Sequence, residues 1–176
     1  MRIIAGSLGG RMFDSPGTHR THPMSDKMRG AMFNILGELS GLQVLDAFGG
    51  SGALAFEAIS RGAATALILE NDRTAQKTIE RNIKTLKLAP AARLVKATAA
   101  AWMSTNTEVQ FDVVLCDPPY DDLQPNTLNL LAAHVKPDGV LVLSFPASHE
   151  PLEFTGLSQV KRQQYGDAQL IFYLAA

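Results

Sequence analysis

Cysteine is nearly absent from this chain: Cys116 is the only one in 176 residues. A single thiol allows neither an intramolecular disulfide nor a cysteine-based zinc site. Long apolar runs are also missing, and none approaches the roughly 18 residues that a membrane-crossing helix needs. The opening segment MRIIAGSLGGR has neither the apolar stretch nor the cleavage site of a signal peptide, so a cytoplasmic protein is expected. Internal repeats and low-complexity tracts are absent. Net charge is scarce too, since Lys+Arg 16 against Asp+Glu 17 leave −1, and nothing in the total points to a nucleic-acid partner.

What is present is an ordinary globular composition, with 46% hydrophobic and 19% charged residues. The length suits one core with a short appendage, and a monomer without a metal is expected. The distribution of charge says more than its sum. Residues 1–36 hold Arg2, Arg11, Arg20, Lys27 and Arg29 against Asp14 and Asp26, a net of +3, while residues 37–150 hold nine Lys/Arg against thirteen Asp/Glu, a net of −4. A basic arm on an acidic body is compatible with phosphate contact by the arm, and a merely solvated segment would look the same.

From Leu42 onward two patterns alternate. QVLDAF (43–48), TALILE (65–70), ARLVKA (92–97), FDVVLCD (111–117) and VLVLSF (140–145) are short apolar runs that read as buried strands. GALAFEAISRG (52–62), residues 72–88 and LNLLAAHV (128–135) have helical spacing, and Pro137-Asp138-Gly139 reads as a turn. Continuous apolar strands alternating with helices predict a parallel sheet covered on both faces, and right-handed crossovers make it a doubly wound α/β fold. The two ends depart from this. SQVKRQQY and QLIFYL flank Gly166-Asp167 and predict an antiparallel hairpin. RIIAG and GRMFD predict a small hairpin around Gly9-Gly10, followed by a helix from an N-cap near Ser25 through MRGAMFNIL. The organisation expected is therefore an arm over 1–40 and a body over 41–176.

Three motifs carry chemistry. Asp46-Ala47-Phe48-Gly49-Gly50-Ser51-Gly52 lies where the first strand turns into the first helix of the body. Glycines there admit a ligand close to backbone, and the helix start adds free N–H groups. Glu70 ends the second strand, where an acid can accept hydrogen bonds from ribose hydroxyls. Asp117-Pro118-Pro119-Tyr120 ends the fourth strand, beside the switch point where open α/β sheets bind ligands. There Asp117 and the Pro118 carbonyl can accept the two N–H bonds of an amine, and Tyr120 offers a face on which a base can stack. Taken singly, each motif has a bland alternative: tight strand–helix packing, a solvated carboxylate, or a proline turn with a packed tyrosine.

Together they resemble a class I S-adenosylmethionine-dependent methyltransferase, and Asp-Pro-Pro-Tyr resembles the signature of enzymes acting on exocyclic base amines. MRIIAGSLGGR, SDKMRGAMFNIL, DAFGGSGALAFEAISRGA, FDVVLCDPPYD and YGDAQLIFY resemble, in order, the 16S ribosomal RNA guanine-N2 methyltransferase family of the RsmD type. The resemblance implies a mostly parallel seven-stranded sheet, S-adenosylmethionine as cofactor, and small-subunit ribosomal RNA, at guanine 966 N2, as substrate. It implies that Asp117, Pro118 and Tyr120 serve catalysis, with Asp46, Phe48, Gly49, Gly50, Gly52, Glu70, Asn71, Thr98 and Asp117 at the cofactor. Pro119, Tyr120, Arg11 and Arg20 would then meet the RNA. Two positions depart from the pattern. His22-Pro23-Met24 stands where the family has Arg-Pro-Thr, and Thr98 stands where it has an acid near the adenine, so adenine recognition is expected to lean on backbone groups. Adenine N6 or protein glutamine as acceptor, and a silent RNA-binding scaffold, remain alternatives. His134 is expected at the surface or in the turn that ends its helix, His149 in a solvated loop, Cys116 in packing, and Trp102 in the core or at a pocket rim.

Overall fold

The apolar runs form the strands of one sheet in the computed structural model, which describes residues 1–17 and 24–176. In chain order the elements are α1 (Asp26–Leu36), β1 (Gln43–Asp46), α2 (Ala53–Ser60), β2 (Thr65–Leu69), α3 (Arg73–Thr85) and β3 (Ala92–Val95). They continue with α4 (Ala99–Thr105), β4 (Phe111–Cys116), α5 (Pro125–Ala132), β5 (Val135–Pro146), β6 (Leu157–Tyr165) and β7 (Ala168–Ala175). The strand order is β3-β2-β1-β4-β5-β7-β6. The first five strands pair in parallel, and β7 runs antiparallel to both β5 and β6. Winding thus proceeds outward in both directions from β1, as the alternating pattern predicts.

Side chains of a strand alternate between faces, and this divides the core in two. Val44, Ile68, Val113, Leu115 and Val142 pack with α1, α2, α3 and the N-terminal hairpin. Leu45, Leu69, Val114, Leu141 and Leu143 pack with α4 and α5. Helix α4 is absent from the sequence reading. Its AAAWMST has no polar spacing to reveal a face, yet it forms because the Thr98 side chain accepts from the Ala101 N–H and because Trp102 and Met103 are buried. Pro137-Asp138-Gly139 does not end an element. Phe111 pairs with Val135 and Val113 with Val140, so Lys136–Gly139 bulge out of β5 opposite Asp112 alone. The left-handed φ of Asp138, +60°, makes the excursion, and β5 therefore starts five residues earlier than its apolar run.

The N-terminal hairpin is smaller than predicted and is seated by polar contacts. One bridge joins Arg2 to Met12, and the reversal spans Ala5–Gly10 instead of centring on Gly9-Gly10. Its loop lies on the C-terminal half of α2. The Ile4 and Ala5 N–H groups donate to the two oxygens of Glu57 at 2.8 and 3.1 Å, and the Leu8 N–H donates to Ser60 Oγ. Glu57 is fully buried and is also paired to Arg61 Nε at 2.8 Å, with Arg29 Nε 3.9 Å away. The Asp14 backbone exchanges two hydrogen bonds with the Asn82 amide on α3. Ser25 caps α1 as expected, its hydroxyl accepting from the Met28 N–H. His134 lies in the turn that ends α5, one of the two places expected for it, and is 3% exposed, with Nδ1 2.6 Å from the Val109 carbonyl oxygen. His149 is exposed, while Cys116 and Trp102 are buried, as expected.

Candidate functional site

The carboxyl ends of β1, β2 and β4 bring the three motifs together. Asp46 ends β1 with no exposed surface. One of its oxygens accepts from the Ala55 N–H of α2 at 3.3 Å, and the other, Oδ1, is buried with no hydrogen-bond partner among the described residues. Burial pushes the Asp46 carboxyl up to about 8, and the neighbouring charges of Asp117 and, more weakly, Glu70 add to the effect. A buried acid with so few donors holds its proton to a higher pH, because the ionised form is poorly solvated.

The glycine-rich turn that follows is held against β2. The Gly49 N–H donates to the Leu69 carbonyl at 2.8 Å, and a Cβ at Gly49 would meet Ile68 Cγ2 at 2.5 Å, so only glycine permits this close approach. Gly52 has φ +83°, a left-handed value, and opens α2 without a side-chain cap. Gly50 faces open space, where the nearest atom to an added Cβ is the Phe48 carbonyl oxygen at 3.9 Å. Phe48 is half-buried against the α4–α5 side of the core.

Glu70 is brought to this turn and is more engaged than a free strand-end acid. Its two oxygens accept from the Gly50 N–H and the Asp72 N–H, each at 2.7 Å. A carboxylate has about four lone-pair sites, so each oxygen retains acceptor capacity toward a ribose. Asn71 beside it is exposed. Thr98 is exposed too; its hydroxyl accepts from the Ala101 N–H as the cap of α4 and keeps its own O–H to donate.

At the end of β4, Asp117 is half-buried and next to Asp46. Burial raises its carboxyl to about 6, against the opposing effect of the Ser144 hydroxyl. Pro118 is buried, Pro119 half-buried, and Tyr120 42% exposed. The Tyr120 hydroxyl lies 2.8 Å from Ser144 Oγ, which pins the ring at the rim of the cleft. Burial also raises the Tyr120 hydroxyl above its ordinary value. Ser144 is the residue that sequence reasoning missed. It is 2% exposed near the end of β5, and the pairing of Cys116 with Leu143 places it one step on, abreast of Asp117. The signal was a lone hydroxyl in the apolar run VLVLSF, at the same end of the sheet as the motif. Cys116 is buried, and burial followed by the Asp46 and Asp117 charges holds its thiol far above its ordinary value, which leaves it inert.

The arm residues are not drawn into this cluster. Arg11 is exposed on the hairpin, and among the described residues no hydrogen bond or ion pair joins it to Asp46, Glu70 or Asp117. Arg20, His22 and Pro23 lie outside the described residues. Among the described residues no group of three or more metal-binding side chains forms, and no helix is long and apolar enough to cross a membrane.

The residues present suit S-adenosylmethionine. Asp46 Oδ1 is an orphaned acceptor suited to a cationic group, Gly50 leaves open space over the turn, and Glu70 stands where ribose hydroxyls can be held. What the cleft offers chemically is two adjoining acids, one at the turn and one at a stiff proline loop, beside an aromatic ring.

A family model described as conserved hypothetical protein 95 matches residues 1–174. The Escherichia coli (strain K12) ribosomal RNA small subunit methyltransferase D is 38% identical over 133 residues, covering 74% of this chain and 66% of that protein. YlbH of Bacillus subtilis is 31% identical over 180 residues, covering 98% of each. Among solved structures, the Escherichia coli protein yhhF is 30% identical with a TM-score of 0.89, covering 99% of this chain and 97% of that one. A distant structure, SMU.776 complexed with SAH, shares the fold at a TM-score of 0.70 and 13% identity, covering 85% of this chain and 48% of that one.

Proposed function

The chain belongs to the conserved hypothetical protein 95 family, the RsmD type that its motifs resemble, and on that premise we propose that it methylates the exocyclic N2 amine of a guanine in 16S ribosomal RNA. The observation that carries this reading is the proline loop itself: Asp117 follows β4 at the same sheet end as Asp46 on the adjoining β1, with Tyr120 held on Ser144 beside it. When bound, S-adenosylmethionine supplies a methyl group activated by its sulfonium.

The chain's own residues then have an alignment problem to solve. An aromatic amine is a poor nucleophile because its lone pair is delocalised into the ring. Asp117 and the Pro118 carbonyl accept its two N–H bonds and turn the lone pair outward. The amine gains positive charge as it reacts, so the Asp117 carboxylate stabilises the transition state more than the ground state. With a value near 6, Asp117 is largely ionised at neutral pH and can act in this way. Tyr120, fixed by Ser144, presents a ring on which the extruded base stacks, worth about 1–3 kcal/mol. Asp46 would give up its proton on meeting the cationic end of the cofactor and hold it, and Glu70 would hold the ribose. Pro119 stiffens the loop, and the arm residues Arg11 and Arg20 are proposed phosphate contacts.

The test is transfer of a labelled methyl group from S-adenosylmethionine to small ribosomal subunits lacking the modification, with the labelled nucleotide mapped. The expected result is label on one guanine N2 that disappears with Asp117→Ala. Label on an adenine N6 or on a protein amide would overturn the substrate, and failure to bind the cofactor would leave the scaffold reading.

A further inference from the structure

The acidic body conceals a basic face. Residues 71–96 carry seven Lys/Arg against Asp72 and Glu80, a net of +5, so seven of the nine basic residues between 37 and 150 fall in this stretch. All seven are exposed. Only Arg81, paired with Asp14, and Lys96, paired with Glu80, are in ion pairs among the described residues. Arg73, Lys77 and Lys84 are four and seven residues apart, which aligns them along one side of α3 over about 16 Å. The opposite side buries Ala75, Thr78, Ile79 and Asn82.

Helix stability does not account for this pattern. Arg73 and Lys77 repel at four-residue spacing, as do Lys77 and Arg81. Arg73 occupies the first position of α3, where the helix dipole disfavours a cation. The one acid on this side, Glu80 between Lys77 and Lys84, is taken up by Lys96 at 2.7 Å, so Arg73, Lys77 and Lys84 keep no counter-ion among the described residues. The position matters as well. Arg73 lies three residues beyond Glu70, and β2 and β4 are separated only by β1, two strand spacings or about 10 Å. The stripe therefore starts beside the cleft and runs away from it, past the seat of the N-terminal hairpin at Arg81–Asp14 and Asn82.

We propose that the exposed side of α3, Arg73, Lys77 and Lys84, is a docking surface for the RNA phosphates flanking the target base. The inference rests on the reading of the substrate as ribosomal RNA. The occupant is a polyanion because the face presents cations with no apolar anchor among them, and phosphate contact needs charge and reach more than fixed geometry.

The experiment compares the full chain with its R73Q/K77Q/K84Q variant, since glutamine keeps helix propensity at exposed sites. Circular dichroism checks the fold, and binding to 16S ribosomal RNA is measured across a salt series alongside methyl-transfer kinetics. Each phosphate contact contributes about 0.7–0.9 to the log–log salt slope, so the slope should fall by about 2 to 3. The KM for RNA should rise about tenfold or more, with kcat within about twofold and cofactor affinity unchanged. Lys161→Gln, on the opposite sheet edge, should change neither slope nor KM. A wild type that methylates RNA, with a variant of equal slope and KM, overturns the face and leaves the enzyme reading standing. A wild type that does not accept RNA at all overturns both. Loss of turnover on assembled subunits with an unchanged slope on RNA would assign the face to a ribosomal protein instead and overturn the proposal.

Discussion

Two fully buried acids, eleven residues apart, meet opposite fates. Glu57, on α2 under the N-terminal hairpin, accepts from Ile4, Ala5 and Arg61 and has Arg29 near. Asp46, at the start of the turn into the same helix, has one long hydrogen bond and an oxygen with no partner. The first carboxylate is committed to holding the chain's beginning onto its body. The second is held in readiness, at a cost to the free protein, for a partner from outside. One helix thus has a structural end and a receptive end, and buried charge by itself does not distinguish them; the number of donors facing it does.

The comparison is sharpest if removing the cleft acid harms turnover alone. We predict that Asp117→Ala lowers methyl transfer about 10²–10³-fold or more while the melting temperature stays level or rises, because a strained acid is removed. A fall in melting temperature matching the lost activity would break the distinction. Glu57→Ala should do the reverse. Deleting one partner of a buried ion pair costs about 3–5 kcal/mol, which for a chain of this size lowers the melting temperature by about 10 °C. The variant's cofactor affinity, measured well below that temperature, should stay near that of the wild type.

The effect that is smallest per step is a slope, read one pH unit at a time. Asp46 keeps its proton in the folded protein up to about 8, whereas in the unfolded chain a carboxyl loses it near 4. Between those values the native state binds more protons, so the stability of the free protein falls as pH rises from about 4 to about 8, by at most about 1.4 kcal/mol per unit. Asp117 adds the same sign up to about 6. Asp46→Asn should flatten the limb between 6 and 8 and about halve the slope between 4 and 6, where Asp117 still contributes. Thermal unfolding across that range checks it; a slope that survives the substitution would mean that another group carries the proton.

Much of the sheet was legible because the middles of β1, β2 and β4 are buried on both faces, so Val44-Leu45, Ala66–Leu69 and Val113–Cys116 are apolar runs. The places that were not legible have local physical causes. Helix α4 hides because alanine carries no polarity with which to mark a face. The start of β5 hides because Pro137-Asp138-Gly139 has the chemistry of a turn, and a bulge uses the same conformations. The motif acids were found from their place at strand ends, but their different readiness was not, since it depends on donors from Ala55 and Ser144 on other elements. Ser144 needed the β4–β5 register. The basic side of α3 was lost through averaging over 37–150, where the acids of the cleft and loops cancelled it.

The far edge of the sheet has a consequence for the protein's behaviour at high concentration. β6 is nine residues long, pairs only with β7, and is exposed along almost its whole length. Such an edge is a template on which another chain's strand can align. Here Val160 falls at a break in register between Gln159 and Lys161, and Lys161 and Arg162 follow it. The irregularity spoils the hydrogen-bonding row, and Lys161 repels an identical edge brought alongside, while Arg162 is paired to Glu150 at 3.4 Å. On this reasoning the stretch discourages self-assembly, and replacing Lys161 with threonine should lower the concentration at which the protein begins to aggregate.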